Sequence, residues 1–211
     1  MQQRMAEMPA PGLFAPDHEA FRAMFAARKE VFIDLLKWDL PVLAGQFEVD
    51  QFDDPGAEYL ILLDRNGAHR ASARLLQTDR PHLLGGQYPH LCDGPVPSGP
   101  TVREITRFCL DRHQRAEDRR SARNQLVSAL VEHALRSGIT DYTGVAEIGW
   151  LMQVLRFGWH CVPLGRAIRH GDTMLAALHI RIDGQSIEGL KDKGVYEPLS
   201  LKLVGSMEGP E

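Results

Sequence analysis

VREITRFCLDRHQRAEDRRSARNQLVSALVEHALRSGITDYTGVAEIGWLMQVLRF, residues 102–157, is the stretch in which strand and helix patterns alternate most clearly. Apolar residues over Val102–Leu110 predict a strand, and a helical stripe over Ser121–Arg136 predicts the helix that follows it. The pattern then repeats, with a strand at Thr140–Ala146 and a helix at Ile148–Phe157. Because strands alternate with helices, the stretch predicts an α/β fold.

Apolar segments on either side of this stretch extend the predicted sheet. The remaining predicted elements are a helix capped by Asp17 that runs to about Leu36, a β-hairpin of Tyr59–Leu63 and Ala71–Leu76, a Gly/Pro-rich loop at Arg80–Pro100, and strands at Trp159–Leu164 and Thr173–Ile182. We therefore expect three layers, α-β-α, around a mixed sheet, in one domain that spans residues 1–211 with a mobile tail at residues 1–16.

The composition is that of an ordinary globular protein. Of 211 residues, 44% are hydrophobic and 25% are charged, which is enough to bury one sizeable core. The formal net charge of -4 argues against a nucleic-acid-binding protein, and no apolar stretch has the length of a membrane helix. Three widely spaced cysteines and nine scattered histidines lack the spacing of metal ligands. We expect a reduced, cytoplasmic, monomeric protein without a metal.

Arg28 lies on the apolar face of the first predicted helix, in line with Phe21, Phe25 and Phe32. Spacing alone leaves two interpretations open. The arginine either snorkels to the edge of the helix or serves as a fixed cation that lines a pocket.

A dense acidic run, Glu48-Val49-Asp50-Gln51-Phe52-Asp53-Asp54, precedes a Pro-Gly turn. Such runs are usually solvated, but the two apolar residues threaded through this one indicate that part of it packs inward. Buried carboxylates need cations, and Arg28, Arg74 and Arg107 are the available partners.

Charged residues interrupt the apolar pattern of the strand at Val102–Leu110. Glu104 and Arg107 are three residues apart, so a regular strand would point them to opposite faces. They can serve one site only if a bulge lies between them. The alternative, an edge strand with paired surface charges, fits the pattern equally well.

These separate features occur together in one known family. The order Arg28-xxx-Phe32-xxxxx-Trp38, Glu48-x-Asp50-xx-Asp53, Ser72-Ala73-Arg74, Glu104-xx-Arg107-Phe108 resembles the LuxI-type acyl-homoserine lactone synthases in residue type, order and spacing. The resemblance runs from about Phe21 to Gly158. It implies a splayed mixed sheet similar to that of GNAT acetyltransferases, and an enzyme that acylates S-adenosylmethionine and closes a lactone with release of methylthioadenosine.

The resemblance also implies a set of S-adenosylmethionine contacts, in which aromatic faces suit a cationic sulfonium. These implied residues are Arg28, Phe32, Trp38, Asp50, Asp53, Arg74 and Phe108. S-adenosylmethionine is a substrate, so no cofactor is implied. Catalysis is expected from Glu104, as a base that frees the attacking amine, and from Arg107, which is expected to hold the Glu104 carboxylate.

The acyl chain is expected in an apolar tunnel beside the helix at Ile148–Phe157. In the family, residues at the positions of Thr106 and Thr143 line that tunnel, although Thr143 is equally well explained as an ordinary β-branched strand residue. A local basic patch is expected to dock an acidic acyl carrier protein or the phosphates of acyl-coenzyme A. Its residues are Arg115, Arg119, Arg120 and Arg123.

Two other functions remain open at this point. One is a GNAT N-acetyltransferase that uses acetyl-coenzyme A, but residues 114–121 lack the glycines with which that class binds pyrophosphate. The other is a non-catalytic module that binds S-adenosylmethionine or acyl carrier protein. Glu104 and Arg107 argue against such a module.

Overall fold

The computed structural model describes residues 15–204, with side chains from residue 18 onward. Residues 1–14 of the expected tail lie outside the described residues. The helices are α1 (Ala15–Arg28), which continues as a π-helical segment over Lys29–Leu35, α2 (Leu83–Gln87), a 3-10 turn at Pro89–Leu91, α3 (Ala116–Ser137), α4 (Ile148–Val154) and α5 (Ser186–Asp192). The strands are β1 (Val42–Leu43), β2 (Phe47–Glu48), β3 (Glu58–Leu63), β4 (His69–Gln77), β5 (Val102–Leu110), β6 (Asp141–Glu147), β7 (His160–Pro163), β8 (Ile168–His170), β9 (Thr173–Arg181) and β10 (Lys202–Val204).

The main sheet has the order β10-β3-β4-β5-β6-β9-β7, with β8 also paired to β9. Within it only β5 and β6 are parallel, and they pair over just three residues, from Val102–Asp141 to Glu104–Thr143. Beyond Glu104 the two strands continue without pairing to each other, so the sheet splays open between them. The expected splayed mixed sheet is confirmed.

Helices cover both faces of the sheet, as successive residues of β3 show. Leu60 and Leu62 pack in the core beneath α3, whereas Tyr59 and Ile61 pack against α1. All four are buried, which gives β3 the continuous apolar sequence of a strand covered on two sides. The three-layer α-β-α prediction is therefore confirmed.

Several boundaries differ from the predictions for identifiable reasons. Helix α1 begins before Asp17, so this residue lies inside the helix and does not cap it. Helix α3 begins five residues before Ser121. The sequence pattern did not reveal this start, because the polar first turns of the helix carry no apolar stripe. The stretch predicted as a loop at Arg80–Pro100 contains α2 and the 3-10 turn, whose glycines and prolines concealed them. Helix α4 ends at Val154, before the predicted end of the helix at Ile148–Phe157. The sequence pattern also missed β1, β2, β8, α5 and β10, which are all short.

Between residues 15 and 204, no helix combines the length and apolar character needed to cross a membrane.

Candidate active site

A cavity of about 1140 Å³ opens where β5 and β6 part. Its walls include Ile105–Phe108 of β5 and Gly144–Glu147 of β6. On one side of the split the wall is charged and aromatic, with Phe32 and Trp38 from the segment after α1. On the other side aromatic and aliphatic residues predominate. Arg119, Glu147 and Asp172 also line the cavity. The parting of the strands thus makes a two-sided space in the centre of the molecule.

The charged side is built on a buried cluster of three guanidinium groups and three carboxylates, from Arg28, Arg74, Arg107, Glu48, Asp50 and Asp53. Arg28 donates to Glu48 at 2.5 Å and, through two nitrogens, to both oxygens of Asp53 at 2.8 and 2.9 Å. Arg74 binds both oxygens of Asp50 at 2.6 and 3.1 Å. The balanced charges allow six ionised groups to be buried together.

Arg107 joins this cluster because β5 bulges beside it. Arg107 and Phe108 together oppose the single residue Ala73 on β4, and Arg107 has a φ of 50°, in the left-handed region. The bulge lies at Arg107 and Phe108, whereas the register from Glu104 to Thr106 is regular. It turns the Arg107 side chain to the α1 face, where it donates to Glu48 at 3.0 to 3.2 Å and to Asp50 at 2.7 Å. Strain of about 1–3 kcal/mol is typical of such a backbone and persists only where surrounding contacts fix it.

The expected pair between Glu104 and Arg107 does not form. The bulge carries Arg107 toward Glu48, and Glu104 instead accepts hydrogen bonds from the backbone N–H groups of Leu83 and Leu84, at 2.8 and 2.9 Å. Burial raises the pKa of Glu104 to about 7, against the opposing effects of those two N–H groups and of the Arg74 charge. Glu104 is thus a buried carboxyl that anchors α2 and titrates near neutral pH.

Only some of the predicted S-adenosylmethionine residues line the cavity. Phe32, Trp38, Asp50 and Phe108 do so. Three others lie behind that wall, where their side chains are about 1% exposed: Arg28, Asp53 and Arg74. These three residues hold the wall in place. Arg28 neither snorkels nor faces the cavity, because its guanidinium binds Glu48 and Asp53.

The charges of the cluster are fixed by their partners. Burial alone would lower the pKa of Arg28, but the hydrogen bonds and charges of Asp53 and Glu48 outweigh burial and raise it. Burial would likewise raise the pKa of Asp53, but Arg28 and Arg74 hold it well below its usual range. The pKa of Asp50 is lowered in the same way, by Arg74 and Arg107. Arg28, Asp50 and Asp53 therefore remain ionised at neutral pH.

A π-helical segment positions the aromatic wall. The N–H of Leu36 binds the carbonyl of Val31, five residues back, and the N–H of Trp38 binds the carbonyl of Phe32. The wide turn brings the Trp38 ring onto the Phe32 ring, with centroids 5.0 Å apart and planes 15° from parallel. Arg107 lies 5.7 Å from the centre of the Phe32 ring. The result is a stacked aromatic pair beside a cation, a surface that suits a flat or cationic ligand.

Aromatic rings also form much of the apolar side. Phe108, Trp150, Phe157 and Trp159 follow one another at centroid distances of 5.0 to 5.8 Å. All four line the cavity, together with aliphatic residues of α3 and β9. The Trp159 N–H is satisfied by the Val154 carbonyl at 3.0 Å. This side therefore offers an apolar ligand an aromatic wall.

The two threonines predicted for the acyl pocket differ in position. Thr106 lines the cavity, and its hydroxyl accepts a hydrogen bond from Arg74 at 2.9 Å. Thr143 is fully buried between Glu104 and His179 on the neighbouring strands and does not line the cavity. Its Oγ1 finds no hydrogen-bond partner among the described residues.

The predicted basic patch is divided by internal contacts. Arg119 donates to the carbonyls of Leu110 and Asp111, at the end of β5, and lines the cavity. Arg123 lies 5.2 Å from the centre of the Phe157 ring and donates to Asn124. The remaining two, Arg115 and Arg120, are exposed at the start of α3.

Sequence reasoning left Glu48 out of the candidate residues, although it bridges Arg28 and Arg107. The available signal was the apolar Val49 within the acidic run, which indicates an inward-facing segment. Trp150, Phe157 and Trp159 were also omitted, since buried aromatic residues at helix and strand positions are indistinguishable from core residues before the splay is known.

The comparisons with known proteins agree with this geometry. The family model described as autoinducer synthase matches residues 15–190. An acyl-homoserine-lactone synthase from Rhizobium etli is 36% identical over 156 residues, covering 72% of this chain and 72% of the relative.

Two solved structures extend the comparison. A CoA-dependent acyl-homoserine lactone synthase with SAM and isopentyl-CoA superposes with a TM-score of 0.76 and 25% identity, over 86% of each chain. An acyl-CoA N-acyltransferase from Pseudomonas aeruginosa shares the fold, with a TM-score of 0.55 and 20% identity, over 77% of this chain and 90% of that one.

Proposed function

Because the chain belongs to the autoinducer synthase family and is an acyl-homoserine lactone synthase, we propose that its cavity holds S-adenosylmethionine and an acyl thioester together, one on each side of the split between β5 and β6. The observation that carries this proposal is the two-sided wall of the cavity. One side is charged and aromatic, and the other is mainly aromatic and aliphatic. A single space with both characters suits a reaction between a charged amino acid derivative and a fatty acyl group.

S-adenosylmethionine occupies the charged side. The sulfonium and the adenine ring lie against the stacked rings of Phe32 and Trp38. Asp50 attracts the amino group, and Arg107 attracts the carboxylate. Arg28, Asp53 and Arg74 are positioning residues, which hold these wall groups from behind.

The acyl chain occupies the apolar side, between the β5–β6 split and α4. Phe108 and Trp150 stand nearest the split, and Thr106 lies at the junction of the two sides. Thr143 does not line the cavity, so it is not proposed to contact the acyl chain.

Glu104 serves as the base, because an ammonium has no lone pair with which to attack a thioester. A pKa raised to about 7 suits a group that accepts a proton near neutral pH. Glu104 is fully buried and does not line the cavity, so in this proposal the proton reaches it through a water molecule. The N–H groups of Leu83 and Leu84 take two of about four acceptor positions on the carboxylate, so the others are free to accept a hydrogen bond from that water.

The amine nitrogen then attacks the thioester carbonyl, the carbon–sulfur bond breaks, and the thiol leaves with a proton. Arg107 and Phe108 share one opposing residue on β4 and have no register partner on β6, so their N–H groups suit the developing oxyanion. In the second step the methionyl carboxylate attacks the carbon that bears the sulfonium. Methylthioadenosine leaves as a neutral molecule and the lactone closes.

The acyl group arrives on acyl carrier protein or coenzyme A. The exposed Arg115 and Arg120 supply positive charge near the cavity, where Arg119 forms part of the wall. Arg123 supports that side by its contact with Phe157. Acidic protein surfaces and phosphates are both attracted to such a patch.

The proposal is tested by incubating the protein with S-adenosylmethionine and acyl donors of both kinds, and by measuring methylthioadenosine and acyl-homoserine lactone by mass spectrometry. We expect equal amounts of the two products. Asp50→Asn should suppress both, whereas Asp54→Asn is a matched control, since Asp54 belongs to the same acidic run but is exposed and pairs with Arg80. Methylthioadenosine without lactone, or equal losses in both variants, would contradict the proposal.

A further inference from the structure

Glu147, the last residue of β6, points to the face of the sheet that α2 covers. It is in register with Leu175 of β9, and Leu175 packs with Leu84 of α2. Residues directly opposite each other on antiparallel strands point to the same face, so the Glu147 side chain lies on the α2 side. Glu147 and Leu175 both line the cavity there.

The face that α2 covers is also the face of the buried ion cluster. Glu104 and Thr106 are two residues apart in a regular part of β5, so their side chains share one face. Glu104 binds two N–H groups of α2, and Thr106 binds Arg74 of the cluster. Glu147 on β6 and Arg107 on β5 therefore lie on opposite sides of the split but on the same face of the sheet.

The Glu147 carboxylate is an acceptor without a partner. Among the described residues, no hydrogen-bond donor or cation contacts it, and its side chain does not cap α4. The side chain is partly buried, and its neighbours on this face, Val145 and Leu175, are apolar. Asp50, in contrast, is bound by two arginines. A ligand that removes the Glu147 carboxylate from water must therefore supply hydrogen-bond donors of its own.

We propose that Glu147 binds the two ribose hydroxyls of S-adenosylmethionine and so determines specificity for the adenosyl group. This inference rests on the proposed function, in which the adenine and the sulfonium lie against Phe32 and Trp38. In a nucleoside, the base and the 5′ carbon leave one face of the ribose ring, and the two hydroxyls leave the other. The hydroxyls therefore point away from the aromatic pair, across the split toward β6.

A carboxylate suits this pair of hydroxyls. Its two oxygens accept charge-assisted hydrogen bonds, and in dinucleotide-binding folds an Asp or Glu binds the ribose 2′-hydroxyl. Such a contact needs no positive charge on the ligand. Glu147 therefore also binds methylthioadenosine, which is neutral but has the same ribose. This property distinguishes a ribose contact from a contact with the sulfonium, which only S-adenosylmethionine carries.

The experiment measures the Kd of the whole protein, by calorimetry, for S-adenosylmethionine, methylthioadenosine and 2′,3′-dideoxy-methylthioadenosine. Glu147→Ala should raise the Kd by about tenfold to a hundredfold for the two ligands that have the hydroxyls, because hydrogen bonds to a charged group are lost. For the dideoxy ligand the Kd should change by less than about threefold. Asp172→Ala is the control and should leave all three Kd values nearly unchanged, because Asp172 lines the cavity but is exposed on the turn between β8 and β9.

An unchanged Kd for methylthioadenosine in Glu147→Ala would overturn the inference, as would an equal rise for methylthioadenosine and its dideoxy form. Equal Kd values of the wild-type protein for these two ligands would overturn it without any variant. If Glu147→Ala fails to fold, which a thermal melt reports, Glu147→Gln keeps the size of the side chain and should show the same contrast between ligands. The two proposals fail differently. Nucleoside binding that ignores the hydroxyls contradicts the role of Glu147, whereas no binding of S-adenosylmethionine or methylthioadenosine contradicts the proposed function.

Discussion

Arg28 and Asp53 form a buried two-pronged ion pair, in which Nη1 lies 2.8 Å from Oδ1 and Nη2 lies 2.9 Å from Oδ2. Neither residue lines the cavity. The second carboxylate that Arg28 binds, Glu48, also binds Arg107, which is on the cavity wall. A cation on the first helix thus orients a residue at the substrate site through one intervening carboxylate.

Replacing Arg28 should therefore lower the free energy of unfolding, because this residue supports the site and does not contact the substrate. Arg28→Ala leaves Glu48 and Asp53 buried with fewer cations, and breaking a buried pair in this way typically costs about 3–5 kcal/mol. Urea unfolding measures the loss. Arg22→Ala, on the same helix but exposed, should change stability by far less, and similar losses in both variants would show that the buried cluster is not a source of stability.

The same cluster predicts the response to acid. The folded pKa of Asp53 and of Asp50 lies below the ordinary value of 3.8, so their stabilisation is present above that value and is lost as the pH falls below it. We expect the free energy of unfolding to fall steeply below pH 4 in the wild-type protein. Asp54→Asn should keep that steep dependence. An Asp53→Asn variant should be less stable at neutral pH and should lose less of its free energy of unfolding on acidification. Parallel plots of unfolding free energy against pH for Asp53→Asn and Asp54→Asn would show that the buried cluster does not cause the acid sensitivity.

Trp38 should contribute directly to nucleotide binding. Trp38→Ala removes one face of the stacked pair, and a cation–π contact is worth about 0.5–2 kcal/mol, so the Kd for S-adenosylmethionine should rise by about twofold to thirtyfold. Calorimetry measures this change. Leu43→Ala is a control, because Leu43 is exposed nearby but does not line the cavity. An unchanged Kd in Trp38→Ala would show that the aromatic pair does not contribute to S-adenosylmethionine binding.

The exposed basic residues should affect encounter with the acyl donor. Charge reversal at Arg115 and Arg120 should raise KM for acyl carrier protein substrates and leave kcat nearly unchanged, because rim charges mainly govern association. The effect should shrink as salt is added. Arg136→Glu, exposed at the opposite end of α3, is the control. Donor kinetics equal to those of the wild type at low salt would mean that the patch is only solvated.

Much of the fold follows from periodicity. Strand β5 was predicted with its observed bounds, because apolar residues mark both of its ends. Helix α3 ends at Ser137, and Gly138, with a φ of 68°, forms the expected glycine cap. Helix α2 and strands β8 and β10 were not predictable. All three are short. Helix α2, for example, is stabilised by a tertiary contact, in which the N–H groups of Leu83 and Leu84 donate to Glu104.

The site was predictable in its residue types but less so in its contacts. The acidic run and its arginine partners were expected, and all three arginines do bind the run. The sequence left Arg107 two partners, the acidic run and Glu104, and only the bulge opposite Ala73 of β4 shows that it binds the run.

The proposal that Glu104 accepts the proton of the attacking amine is tested most directly by single-turnover acylation across a pH series, with saturating S-adenosylmethionine. Glu104→Gln keeps the shape of the side chain and removes its basicity. The wild-type rate should rise with pH and level off above about 7, the pKa of Glu104, because only the ionised carboxylate acts as a base. The variant should be slower by about a hundredfold to ten-thousandfold at neutral pH and should recover partly at high pH. Glu188→Gln, on the exposed face of α5, should match the wild type. Near-equal rates for Glu104→Gln and the wild type across the series, with folding and nucleotide binding intact, would contradict the role of Glu104 as the base.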